Sequence, residues 1–301
     1  MRVSMYIISV FPRLIRRILI KILKMVGCDV VMRLGEFDFQ VPLWGQGALT
    51  SLNWEKTWSV DLYTKLLQIN DGIFIDIGAN VGQSLMDILY INKKLRYIGF
   101  EPNPSCSSYI DELIRVNNLD DHSVLTTAIG EQYSILTLYL EMYSNTDTSA
   151  TLISNLRPGR EYAKKYVTCI NFDIILNCIK IDNVSIVKID VEGAELEVLH
   201  GIGNILTKFR PIVAIEVLFS AKNSDLSLMA ERNKNVLNIA NDNGYEIYQI
   251  VKSKDLKFVL YVMKIDAFKS EYYNDENKEL CDYLMVPLEL KNKLVTTFDV
   301  K

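Results

Sequence analysis

From residue 73 onward the chain alternates short, densely apolar runs with longer amphipathic ones. Ile73-Phe74-Ile75-Asp76-Ile77 is apolar at four of five positions and is closed by Gly78-Ala79-Asn80-Val81-Gly82. A short run apolar on both faces and bounded by turn formers is the pattern of a strand buried in a parallel sheet. Helical spacing follows over residues 83–91, then a second strand at 97–100 that ends in Glu101-Pro102-Asn103-Pro104. A helix is predicted over 107–118 and a third strand over 124–129. The alternation is then interrupted by two extra strands, 135–140 and 166–171, around a polar stretch at 143–160. It resumes with a strand at 185–189, a helix over 194–206 and a strand at 212–217. A helix near 228–243 and strands near 245–250, 258–263 and 283–286 complete the pattern, and a helix over 62–67 precedes it. Strands alternating with helices of this length predict βαβ units, hence an α/β, Rossmann-like fold with a mostly parallel sheet.

In such sheets ligands bind beyond the carboxyl ends of the strands, so the loop after the first strand indicates the cofactor. A dinucleotide fold places G-x-G-x-x-G there to bring a pyrophosphate onto a helix N-terminus. Here Asp76 stands at the first glycine position, and Gly78 and Gly82 are separated by three residues. A carboxylate repels a pyrophosphate but suits S-adenosyl-L-methionine, which carries an ammonium and a sulfonium and no phosphate. Gly78 is read as letting backbone approach the cofactor, and Gly82 as letting the helix start close to the strand. Glu101, at the end of the second strand, has two oxygens with which to accept both ribose hydroxyls. The expected cofactor-binding set is Asp76, Gly78, Asn80, Gly82, Glu101, Asn103 and Ala128.

Three strings together resemble the FkbM family of methyltransferases: Phe74 to Gly82, Phe100-Glu101-Pro102-Asn103-Pro104, and Val187-Lys188-Ile189-Asp190-Val191-Glu192-Gly193-Ala194-Glu195 with Val198-Leu199-His200-Gly201 behind it. Arg210-Pro211 to Glu216 and Leu284-Met285-Val286-Pro287 are similar to the family's late strands, and the resemblance spans roughly 71–287. Phe172-Asp173 stands where the family usually has Leu-Asp before a short helix. The resemblance implies a class I methyltransferase fold, with helices on both sheet faces and an antiparallel last strand. It also implies methyl transfer, most often to oxygen, in polysaccharide, lipopolysaccharide or secondary-metabolite pathways.

A sugar hydroxyl is a poor nucleophile at neutral pH, so a general base or a metal is expected near the methyl group. Asp190, Glu192 and Glu195 lie within six positions in the fourth-strand loop and are the catalytic candidates, Asp190 first. Asp190 and Glu216, at adjacent strand ends, are also the expected ligands if Mg²⁺ is bound, two oxygens suiting a hard cation. Glu192 and Glu195 stand equally well as carboxylates at a helix start. Lys188 is a partner for one of these acids, His200 a structural residue and His122 a solvated one. Trp44, Trp54 and Trp58 either stack on a sugar or pack between the N-terminal segment and the domain. The polar stretch 143–160 is expected to cover the acceptor, because long loops of this kind act as lids.

Composition narrows the partners. At 301 residues, 49% hydrophobic and 23% charged, with no linker-like run, the chain reads as an extension (1–70) followed by a methyltransferase domain (71–301). A net charge of −4 disfavours nucleic acid, whose phosphates reward clustered cations. Five widely spaced cysteines without a C-x-x-C pair fit reduced thiols in a cytoplasmic protein. Residues 13–26 combine Arg13, Arg16, Arg17, Lys21 and Lys24 with aliphatic positions at helical spacing. That helix either packs on the domain or rests peripherally on the inner membrane surface. The leading expectation is O-methylation of a sugar hydroxyl in a glycan or glycolipid precursor. The alternatives are a small-molecule or protein acceptor, and a non-catalytic cofactor-binding subunit. Intact acids at Asp76, Glu101 and Asp190 argue against the last.

Overall fold

The structure, a computed structural model, describes residues 2–4, 13–25, 29–45, 47–141, 150–153, 161–221 and 226–301. Strand β1 (Arg2–Ser4) and helix α1 (Arg13–Met25) come first, then the hairpin β2 (Asp29–Leu34) and β3 (Phe37–Val41). Helices α2 (Gly47–Leu52) and α3 (Trp58–Ile69) lead into β4 (Ile73–Ile77), α4 (Gln83–Asn92), β5 (Tyr97–Phe100) and α5 (Pro104–Val116). Strands β6 (Ser123–Leu125), β7 (Ala128–Ile129), β8 (Ser134–Glu141) and β9 (Tyr162–Ile170) precede α6 (Phe172–Cys178) and β10 (Val184–Ile189). Helices α7 (Glu195–Gly201) and α8 (Gly203–Lys208), strand β11 (Ile212–Glu216) and helix α9 (Leu226–Asp242) follow. The chain finishes with β12 (Tyr245–Lys252), β13 (Val259–Ile265), β14 (Asp282–Pro287) and α10 (Lys291–Thr297).

Eight strands form the main sheet in the order β13-β12-β14-β11-β10-β4-β5-β6. The pairs β6–β5, β5–β4, β4–β10 and β10–β11 are parallel, whereas β14 runs antiparallel to both β11 and β12. The last strand is therefore inserted against the direction of its two neighbours, as expected, and β13, running the same way as β14, forms an antiparallel edge beside β12. The strands divide their side chains between two cores, as the two-residue period dictates. Phe74, Ile186, Ala214 and Leu284 join α3, α4, α5 and α10 on one face. Ile75, Val187, Val213 and Met285 join α6, α7, α8 and α9 on the other. Helices thus cover both faces.

Three differences from the sequence reading have local causes. The strand expected over 124–129 is two strands, because the chain leaves the main sheet after Leu125 and Ala128 pairs with Cys169 of β9 instead. The helix expected over 194–206 breaks at Ile202, where the backbone turns out of the helical region (φ −112°, ψ 14°). The segment before residue 70 contains the hairpin β2–β3, whose Val30, Leu34, Phe39 and Val41 belong to the same core as α3 and α4.

His122 also departs from expectation. It is buried, not solvated, and stacks on Tyr97 (ring centroids 6.5 Å apart) with neither ring nitrogen partnered. Desolvation holds its imidazole below the ordinary value. On acidification through that ordinary value the unfolded chain binds a proton that the folded chain refuses, so stability falls as pH drops. His122→Phe keeps the stack and removes two unsatisfied nitrogens. It should raise stability by about 1 kcal/mol and flatten the acid limb, as thermal melts across pH would show.

Candidate active site

The carboxyl ends of β4, β10 and β11 meet at two adjoining cavities. One, about 360 Å³, opens between the β5 end and the 191–198 segment and is walled by Glu101, Thr127, Ala128, Leu138, Leu152 and Val191, among others. The second, about 320 Å³, lies toward β12 and β14 and is walled by Trp58, Lys188, Lys252, Cys281 and Asp282 with their neighbours. Gly78, Asn80, Gln83, Asp190 and Glu216 line both and form the passage between them.

Glu101 is set by its own loop. Its Oε1 accepts the Asn103 amide (2.7 Å) and its Oε2 the Asn80 amide (2.8 Å), while 93% of the residue's surface is covered. Burial outweighs these two bonds and pushes the carboxyl up to about 7. Each oxygen keeps a free lone pair for a hydroxyl in the first cavity. Asn80 holds a left-handed backbone (φ 49°), as does Glu192 (φ 52°). Non-glycine residues in that region cluster where a loop is held for function.

Lys188 ties the cofactor loop to the fourth strand. Its ammonium lies 3.1 Å from Asp76 Oδ1 and 3.3 Å from Asp190 Oδ2, and it donates to the Gly78 carbonyl at 3.2 Å. Burial works against its charge, but Asp76 and Asp190 prevail and hold the lysine well above its ordinary value. Asp76 is fully buried, also accepts the Tyr97 hydroxyl (2.7 Å), and lines neither cavity. It acts beneath the site rather than in it.

The remaining predicted residues separate in the same way. Gly78 (φ 86°) has no room for a side chain because a Cβ would overlap the carbonyl oxygen of Asp190. Its glycine is required by the neighbouring backbone, and the residue also lines both cavities. Gly82 packs toward Ile110 and Leu113, and Asn103 caps α5 by accepting the Ser105 amide at 3.2 Å; both stand behind the cavity wall. Ala128 and Glu192 line the first cavity. Glu195 is buried, accepts the Gly193 amide at 2.8 Å and is pushed up to about 7 by burial, so it closes its own loop. Arg232, from α9, holds that loop outside the cavities, donating to the Gly193 carbonyl (2.9 Å) and pairing with Glu197. No local motif marks Arg232; only the packing of α9 on α7 brings it there.

Asp190 and Glu216 do come together at the passage, but not as a cation site. Burial, then the charges of Asp190 and Asp282, push Glu216 up to about 10, so it keeps its proton and shares a hydrogen bond with Asp190. The Lys188 ammonium already stands against Asp190. Among the described residues no group of three or more His, Cys, Asp or Glu side chains is arranged to hold a metal ion. One anion already countered by a lysine, beside a protonated acid, does not fit a resident Mg²⁺.

The tryptophans divide: Trp44 packs edge-on to Tyr109 and Trp54 donates to Asp87 (2.8 Å). Trp58 instead walls the second cavity, with the Lys252 ammonium 4.3 Å from its ring centroid. Residues 142–149 and 154–160 lie outside the described residues. The described part between them carries Ala150 and Leu152 into the first cavity, and Thr151 donates to the Glu192 carbonyl at 2.7 Å.

Residues 76–247, more than half of the chain, match the Methyltransferase FkbM domain. The chain belongs to the FkbM methyltransferase family. Methyl transfer is accordingly its class of chemistry. Among solved structures it is similar to the methyltransferase FkbM from Methylobacillus flagellatus KT, at 15% identity over 90% of this chain and 70% of that one (TM-score 0.43). It is also similar to a precorrin-6y C5,15-methyltransferase from Geobacter metallireducens GS-15, at 12% identity over 75% and 83% of the two chains (TM-score 0.35). A fibrillarin pre-rRNA processing protein from Methanococcus jannaschii matches at 12% over 86% and 82% (TM-score 0.38). No curated protein matches the sequence.

Within this FkbM chain, Gly78→Ala forces a Cβ into the Asp190 carbonyl and a strained backbone. It should cost about 3 kcal/mol or more of stability, read in denaturant melts, with loss of methyl transfer. Replacing residues 143–160 by a short Gly-Ser turn removes two wall residues of the first cavity, so it should weaken cofactor-analogue binding in calorimetry.

Proposed function

We propose that this FkbM chain transfers a methyl group from S-adenosyl-L-methionine to a hydroxyl oxygen of a sugar-like acceptor in a glycan or glycolipid precursor. One observation carries the cofactor assignment. Among the described residues, four carboxyl groups, Glu101, Asp190, Glu192 and Glu216, line the first cavity, and no lysine, arginine or histidine does. Such a wall offers carboxyl oxygens to hydroxyl and ammonium groups and no cation to a pyrophosphate, so it suits a phosphate-free nucleoside. When bound there, S-adenosylmethionine supplies an electrophilic methyl group on its sulfonium.

The chain's own residues provide the rest. Glu101 is placed to accept the ribose hydroxyls. Asp190, with 41% of its side chain exposed at the passage and its other side fixed by Lys188, faces the second cavity as the general base. Burial raises Glu216 beside it, so that acid serves as its hydrogen-bonding neighbour. The second cavity is the acceptor chamber in this reading: its wall mixes polar side chains such as Ser59 and Asp282 with apolar ones, it has room for a single sugar ring, and it offers Trp58 as one wall.

Calorimetry should show micromolar binding of S-adenosylhomocysteine and none of NAD; a preference for NAD would end this assignment. Asp190→Asn should lower kcat about a hundredfold or more while S-adenosylhomocysteine affinity changes only a few-fold. Turnover surviving at near wild-type rate would place the base elsewhere.

A further inference from the structure

Helix α1 (Arg13–Met25) is tied to the domain by Ile20 and Leu23, which pack against the core shared by α3 and α4. A second apolar stripe is left over. Ile15, Ile18, Ile22 and Met25 recur at intervals of four or three residues, so they share one face, and they are 42%, 51%, 44% and 78% exposed. Packing on the domain therefore accounts for one side of this helix and not for the other.

We propose that this stripe docks the protein on an anionic lipid surface, with α1 lying in the interfacial plane. Charge selects this occupant. The thirteen residues hold Arg13, Arg16, Arg17, Lys21 and Lys24 and no acid. The chain is at −4 with those five cations included, hence at −9 without them, so the positive charge is concentrated on the element that carries the bare aliphatic stripe. Aliphatic side chains beside clustered cations complement an acyl layer topped by anionic headgroups. A second copy is a poor occupant, because a symmetric contact through this stripe sets one five-cation helix against another. At about 1.5 Å per residue the helix is about 20 Å long, short of the roughly 30 Å apolar thickness of a bilayer, so it lies on the surface. Among the described residues no helix is long and apolar enough to cross a membrane.

The test is sedimentation of the full chain with phosphatidylglycerol–phosphatidylcholine vesicles and with pure phosphatidylcholine vesicles, for wild type and for Ile18→Glu/Ile22→Glu. Both substituted positions are exposed and remote from the cavity walls, and an unchanged thermal midpoint checks that the variant folds. The proposal expects wild type to bind the mixed vesicles, to release them as salt rises, and to leave the neutral ones. It expects the variant to bind about tenfold more weakly or worse, the loss of two inserted aliphatic groups. Wild type that ignores mixed vesicles, or a folded variant that binds them as well as wild type, overturns it. A wild-type dimer in light scattering that Ile18→Glu/Ile22→Glu dissociates, without vesicle binding, overturns it in favour of a second copy.

Discussion

The buried contact between Lys188 and two aspartates, Asp76 and Asp190, fixes the geometry on which the site depends. It joins the end of β4 to the end of β10 at the point where the Gly78 backbone lies against the Asp190 carbonyl. Two charged strand ends could not be brought so close without a cation between them, since unpaired buried carboxylates are costly. The arrangement is not a source of net stability so much as a constraint: removing one partner leaves an uncompensated buried charge, at roughly 3–5 kcal/mol. Because Lys188 also donates to the Gly78 carbonyl, the loop after β4 and the end of β10 are held together.

Around that anchor, the acids are sorted by environment. Glu101, Glu195 and Glu216 are raised by burial, each in a different setting: a cavity wall held by two loop amides, a loop closure and a neighbour of Asp190. Asp190 is the acid left half-open at the passage and countered by a lysine. The same sorting explains why a metal is not built into the site. The charge that a dication would neutralise is already met, partly by Lys188 and partly by the proton on Glu216.

The N-terminal segment contributes to the body of the protein. The β2–β3 hairpin exchanges hydrogen bonds with α5 through Gln40 and Asn117, at 2.7 and 2.9 Å, and buries Phe39 in the core. Trp54 and Ser59 both donate to Asp87 on α4, at 2.8 and 2.6 Å, and α3 brings Trp58 to the second cavity. The second cavity is therefore assembled from the segment before β4 as well as from the late strands, which is why the family strings alone do not outline it.

The sequence by itself determined most of the order of strands and helices from residue 73 to 217, all but the split after Leu125 and the break at Ile202, because short runs apolar on both faces have few other homes than a parallel sheet. It also determined that Asp190 and Glu101 would gather at the strand ends, since each immediately follows a buried run. Tertiary structure alone decided what each of them does. Asp76 and Asp190 look alike in sequence, yet one is sealed beneath the sheet end and the other opens on both cavities, a difference made by where Lys188 and Tyr97 arrive. Gly78 is a glycine in either view, but only the parallel pairing of β4 with β10 shows that backbone fills its missing side chain. Burial, which raises Glu216 while Asp190 beside it stays half-open, is a property of the assembled core and is written in no single stretch of chain.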